Sequence, residues 1–175
     1  MPTAARGLFW QPVIGRTDLV APTVARSTSV GTRASVAQID PALADTAAFC
    51  EAYDVAPESS ANCVVVVGRR GGETRYAAVM VLATMRADVN GVVRRELDVR
   101  KCSFAPMDDA VALTGMEYGG ITPIGLPADW PILVDDAVVA AGDVVVGSGL
   151  RGSKILLPAS ELLGLPNARQ VRLAG

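Results

Sequence analysis

Valine-rich apolar runs separated by short polar breaks cover most of this chain, and their periods predict strands mixed with short helices. Ala34-Ser35-Val36-Ala37-Gln38-Ile39 alternates as a half-buried strand does. Asp40-Pro41 reads as an N-cap with proline in the first turn. It would open a helix to about Tyr53, with Leu43, Ala47 and Cys50 near helical spacing. Asn62 to Gly68 has the pattern of a buried strand. Arg69-Arg70-Gly71-Gly72-Glu73 is a hairpin turn, and Arg75 to Thr84 the partner strand. Further along, a short helix is expected over Gly91 to Leu97 and a strand over Lys101 to Ala105. Pro106 opens a helix to about Thr114, with Met107, Ala110 and Val111 facing the core. Strands follow at 131–135, 143–147 and 155–157, with a helical turn over 136–140 and a short helix from Pro158 to about Leu163. Gln170 to Leu173 closes a sheet. Without βαβ alternation, the expected fold is a single α+β domain with one mixed or antiparallel sheet flanked by short helices.

The first 33 residues have weak periodicity and many Pro, Thr, Ser and Arg residues. They read as an N-terminal arm, packed through Leu8, Phe9, Trp10, Val13 and Ile14, before a domain over 34–175. A short helix begins within Val20 to Val24.

Thr114 to Pro127 breaks the periodic pattern, with four glycines and two prolines in fourteen residues. Glycine admits positive φ and lets another group approach the bare main chain, while proline fixes φ. Such a loop has a defined shape. It is either a helix-to-strand turn or a place where the Gly119-Gly120 amides face a carbonyl oxygen or an anion.

Composition then narrows the chemistry. The chain has 175 residues, enough for one domain with a sizeable core, and half of them are hydrophobic. Its longest clean apolar run, Tyr76 to Ala83, is far short of a membrane span. Met1 to Gly7 lacks a signal-peptide core, so a cytoplasmic protein is expected. There is no histidine, which excludes Ser-His and Cys-His pairs and His-ligated metals. Cys50, Cys63 and Cys102 are odd in number and lack C-x-x-C spacing; reduced thiols are expected, with no disulfide framework and no metal site. A net charge of −2 argues against undirected binding to long phosphate backbones but leaves room for a local basic patch.

Leu113-Thr114-Gly115, then Gly119-Gly120-Ile121-Thr122-Pro123-Ile124-Gly125, then Ile132-Leu133-Val134-Asp135, then Val146-Gly147-Ser148-Gly149, together resemble the YbaK/EbsC family. That family includes free-standing relatives of the prolyl-tRNA synthetase editing domain. The resemblance covers roughly 35–173. It implies a barrel-like sheet and a trans-editing deacylase that needs no cofactor and hydrolyses the ester joining a wrong amino acid to the 3′ end of a transfer RNA. Partners would be the aminoacyl-tRNA acceptor end and an aminoacyl-tRNA synthetase, with no membrane.

By the same resemblance, Gly119 and Gly120 would meet the carbonyl and its developing oxyanion. Ile121, Thr122 and Pro123 would line the amino-acid pocket, and Gly125 would permit the turn. Asp135, Ser148 and Gly149 would hold the α-amino group, the ribose or the loop; Asp135 reads equally well as a helix cap. Active members carry a lysine at the start of the central strand, where this chain has Asn62, which would orient a water or a substrate hydroxyl without the lysine's charge, or equally open the strand as a turn residue. Three outcomes stay open: a different substrate, substitution by Lys101, Lys154 or Arg151, or binding without turnover.

For RNA contact the sequence offers Arg86, Arg94, Arg95, Arg100 and Lys101, with Arg151 and Lys154 further on. Tyr118, beside the glycine loop, would either stack on the terminal adenine or close the core. A run of cations is equally the solvated face of a helix.

Overall fold

The computed structural model describes residues 7–27 and 33–173. Residues 1–6, most of the stretch read as lacking a signal-peptide core, lie outside them, as do residues 28–32 of the N-terminal arm. Nine strands are described: β1 (Gln11–Pro12), β2 (Ser35–Gln38), β3 (Ala61–Arg70), β4 (Glu73–Leu82), β5 (Lys101–Phe104), β6 (Ile132–Asp135), β7 (Asp143–Gly147), β8 (Ser153–Pro158) and β9 (Ala168–Val171). Short helices join them: α1 (Pro22–Ala25), α2 (Thr46–Ala52), α3 (Arg94–Glu96), α4 (Met107–Thr114) and α5 (Asp136–Ala140). The α+β domain is as expected, but its strands form two sheets that do not close on each other. One has the order β1-β2-β8-β7 and the other β5-β3-β4-β6-β9. Strand pairs β4-β6 and β6-β9 are parallel, and the other ladders among the described residues are antiparallel.

The long β3-β4 hairpin fixes the second sheet. Its strands run through Arg69-Arg70 and leave only Gly71 and Gly72, both at positive φ, as the turn. Along β4, Ala78, Met80 and Leu82 face a core shared with Val36, Val144, Val146 and Ile155 of the first sheet. Ala77, Val79 and Val81 face the opposite side, packed by Val93, Leu97 and Val99. A strand covered on both faces has no polar side, so β4 reads as one apolar run.

Several elements differ from the sequence reading. The N-terminal arm is built into the core: Val13, Val20, Ala21 and Val24 join the main cluster, while Phe9 and Ile14 stay exposed. The helix expected from Pro41 to Tyr53 is broken. A 3-10 turn spans Pro41–Leu43, Asp45 is extended (φ −62°, ψ 136°), and α2 starts afresh at Thr46. Asp40 accepts from the Ala42 N–H, so each acid ends or begins a turn. Helix α4 has the expected bounds but another phase. Ala110 and Thr114 are buried, while Met107 and Val111 are exposed. A π-turn at Val89–Val93, capped by the Asp88 carboxylate, leads into α3.

Candidate active site

A cleft of about 300 Å³ opens where the sheets meet. There Ser60, the residue just before β3, makes a parallel bridge to Val145 of β7. Beyond the bridge, Asn62 to Val65 of β3 form one wall and Val145 to Gly147 of β7 the other. Lys154 of β8 and the start of α2, Asp45-Thr46, complete the polar side. Phe104 and Tyr118, both exposed, line its mouth.

The glycine loop forms one edge. Helix α4 ends in a left-handed cap at Gly115 (φ +67°), and the chain folds back over β7 and β8. The Glu117 N–H donates to the Gly149 carbonyl, the Gly120 N–H to the Glu117 carbonyl, and the Gly149 N–H to the Gly120 carbonyl at 2.7 Å. Both main-chain groups of Gly120 are therefore committed inside the protein. A Cβ on Gly120 would sit 2.7 Å from the Leu150 carbonyl, and one on Gly147 2.5 Å from the carbonyls of Gly120 and Ile121. These two glycines let bare main chain stack on main chain. Gly119 differs: it is exposed, at φ +88°, and lines the cleft. Among the described residues no group accepts from its N–H. So of the expected pair of amides, Gly119 is available to a ligand and Gly120 is not.

Lys154 is a buried ammonium. Its Nζ donates to the Ala44 carbonyl at 2.9 Å and lies 5.1 Å from the centre of the Phe49 ring. Desolvation holds its pKa below the ordinary lysine value, partly offset by Cys50 and Asp45. One N–H is committed to Ala44, which leaves two donors. Asn62 is tied to α2: its Oδ1 accepts from the Thr46 hydroxyl at 2.5 Å. Its NH₂ group remains to donate. At the rim the Arg151 guanidinium donates to the carbonyls of Tyr118 and Pro41 and lies 3.6 Å from the Asp45 carboxylate. Cys63 also lines the cleft, but burial pushes its thiol up to about 12, so it is no thiolate at neutral pH.

Several expected site residues lie elsewhere. Ile121 lines the cleft, whereas Thr122 and Pro123 point into the protein. The Thr122 Oγ1 is buried without a partner, and its N–H faces the Met116 sulfur at 3.5 Å. Gly125 packs on the main chain of Thr23 and Val24. Asp135 is buried at the end of β6, where it caps α5 through the Ala137 N–H and accepts from the Leu173 N–H at 2.7 Å. The Ser148 hydroxyl is buried against Ser153, and Gly149 packs on Ala21. Arg86 and Lys101 are exposed and do not line the cleft. Asp45, Thr46 and Phe104 were not singled out from sequence. The Asp-Thr pair just before an apolar helical run is an N-cap signal that could have marked the first two.

Among the described residues no group of three or more His, Cys, Asp or Glu side chains could hold a metal ion, and no helix is long and apolar enough to cross a membrane. Residues 40–165 match the aminoacyl-tRNA editing domain family. Among solved structures, the chain is similar to a candidate trans-editing enzyme for prolyl tRNA synthetase. Identity is 20% over 89% of this chain and 99% of that one, with a TM-score of 0.75. It is also similar to the hypothetical protein APE2540, at 18% identity over 97% of this chain and 94% of that one, with a TM-score of 0.68. At such identities the likeness speaks to the fold. No curated protein matches the chain.

Proposed function

The chain belongs to the aminoacyl-tRNA editing domain family, the YbaK family that its sequence resembles, and from that premise we propose that it is a trans-acting deacylase of mischarged aminoacyl-tRNA. The observation that carries this reading is the juxtaposition in one cleft of the Gly119 main chain, the Asn62 amide and the Lys154 ammonium, in a chain with no histidine.

The chemistry asks little of the protein, because an aminoacyl ester is already activated. Water adds to the ester carbonyl carbon, and the π pair moves onto oxygen. The C–O bond to the ribose then breaks. Its electron pair stays on the ribose oxygen, which takes a proton, and the amino acid leaves as a carboxylate with release of one proton. In this reading the Gly119 N–H and the free donors of Lys154 stabilise the oxyanion. The Asn62 NH₂ orients the water or a ribose hydroxyl. Asp45, at the rim, meets the α-ammonium in the role first considered for Asp135. Tyr118 and Phe104 take the terminal base between aromatic faces. Catalysis needs no cofactor. The partners are the acceptor end of an aminoacyl-tRNA and a synthetase whose errors it clears, and the site of action is the cytoplasm.

Incubating the full chain with a panel of mischarged transfer RNAs tests the proposal. Hydrolysis of at least one above the buffer rate is expected, and none for any would end it. A second reading rests on Asn62 standing where active members carry lysine: a module that binds the aminoacylated end without turnover. Saturable binding of non-hydrolysable aminoacyl-adenosine analogues, with no hydrolysis of the matching esters, would select it.

A further inference from the structure

A second groove adjoins the cleft along β5. Lys101 to Ser103 line it, while Phe104 and Ala105 line the cleft. Its cations come from three elements: Arg69 of β3, Arg94 of α3, and Arg100-Lys101 at the start of β5. The backbone fixes their proximity. Lys101 is the direct cross-strand partner of Arg69, and the Arg100 N–H donates to the Arg69 carbonyl at 3.0 Å. The Arg94 guanidinium reaches the Arg100 carbonyl at 3.5 Å, and its Nε is buried without a partner.

Like charges directly opposite on a ladder destabilise it. A chain with 18 acidic residues against 16 basic ones does not lack carboxylates to neutralise them. Among the described residues Arg70, Arg75, Arg151 and Arg169 each lie within 4 Å of one, whereas Arg86 and Arg95, which stand apart from the groove, do not. Among the described residues none of the four groove cations has such a partner, although Asp109 lines the same groove. Unpaired cations held together at a cost in repulsion fit a polyanion. The polyanion is RNA, because the groove adjoins the cleft along β5. A nucleotide chain whose terminal ester enters the cleft past Phe104 brings its preceding phosphates to β5.

We infer that the groove of Arg69, Arg94, Arg100 and Lys101 is the docking surface for the phosphate backbone of the RNA whose 3′ end enters the cleft. This rests on the deacylase reading for the choice of RNA, and it gives Lys101 a role in the groove that Arg86 does not share. The contacts are to phosphates, so they position the RNA without reading its bases.

The test is the binding of an uncharged RNA hairpin with a single-stranded 3′ end, across a salt series. It compares the wild type, the Arg100→Glu/Lys101→Glu double variant and, as a charge control, Arg26→Glu on the exposed end of α1. The double variant should bind about tenfold or more weakly, with a salt slope shallower by about two, one unit for each phosphate no longer neutralised. Arg26→Glu should bind as the wild type does. Both sites are on the surface, and thermal melting checks that the variants fold. Unchanged affinity in the double variant, an equal loss in Arg26→Glu, or no binding by the wild type would each overturn the inference. Hydrolysis is not read here. A chain that binds the hairpin through this groove but deacylates nothing would therefore sink the deacylase proposal and leave the docking surface standing.

Discussion

The Lys154 Nζ donates to the Ala44 carbonyl, 110 residues away in sequence, at 2.9 Å. That carbonyl is free because the chain breaks between the Pro41–Leu43 turn and α2; an unbroken helix would have used it in its own ladder. The break at Asp45 thus anchors the one buried cation of the cleft and brings Asp45 and Thr46 to its edge. Lys154→Met keeps the aliphatic stem and removes the donor. At neutral pH the lost hydrogen bond and the relieved desolvation oppose each other, so denaturant unfolding should change by only about 1 kcal/mol. The value of kcat/KM on a mischarged substrate should fall about 10²-fold or more. A variant that kept full activity would remove Lys154 from the mechanism.

The same lysine carries a pH signature. Its folded-state pKa lies below its unfolded one, with Cys50, Asp45 and Arg151 as the titratable or charged neighbours. Between the two values the unfolded chain binds more protons, so stability rises with pH over that interval and is flat below it. Relative to Lys154→Met, the wild type should gain stability as pH climbs towards the ordinary lysine value. Parallel stability curves for the two proteins would contradict the burial argument.

Gly119 and Gly120 are adjacent, yet their alanine variants should fail differently. At Gly119 a Cβ meets the end of the Arg151 side chain, and that guanidinium can move. The cost is the strain of φ +88°, about 1–2 kcal/mol, together with a displaced rim and a large loss of turnover. At Gly120 the obstacle is the Leu150 main chain at 2.7 Å, which cannot swing aside. Gly120→Ala should cost stability at or above the ~1–3 kcal/mol typical of overpacking. Urea melts and kcat/KM for both variants separate the two effects.

What was legible in the sequence follows from what determines each feature. The valine runs of β3, β4 and β7 and the caps of α4 and α5 depend on local pattern, and their bounds moved by only a residue or two. The phase of α4 did not follow. Met107 and Val111 keep helical spacing with Ala110, but which side is covered depends on Val65 and Trp130 packing from elsewhere. The division into two sheets was hidden because, among the described residues, β7 joins the other sheet through the Ser60–Val145 bridge just before β3, a long-range contact that leaves no periodic trace. At the site, the glycines announced a shaped loop. Nothing local told Gly119, facing the cleft, from Gly120, spent on Glu117 and Gly149.

Asp135 illustrates the same limit and is testable. Its carboxylate holds the N-terminus of α5 and the Leu173 N–H, away from the cleft. Asp135→Ala removes both acceptors from buried donors and should destabilise the fold by about 1–3 kcal/mol. The kcat/KM of the protein that remains folded should match the wild type. A loss of turnover without a loss of stability would return Asp135 to the site.

Asn62 gives the sharpest test of how the cleft works without the family's lysine. Its Oδ1 is fixed by Thr46, so only its NH₂ group faces a substrate, and the cation is left to Lys154. Asn62→Ala and Thr46→Val should then be coupled, with a double-mutant interaction in stability of about 0.5–1.5 kcal/mol. Both should lower turnover, Asn62→Ala the more because it also removes the donor. Asn62→Lys puts a second ammonium in a cleft that already holds a desolvated one. Like charges disfavour each other's protonation, so this substitution should depress Lys154 further and reduce kcat/KM. If Asn62→Lys instead raised turnover well above that of the wild type, Lys154 would not be the working cation, and the chain as it stands would be better described by the binding-module reading.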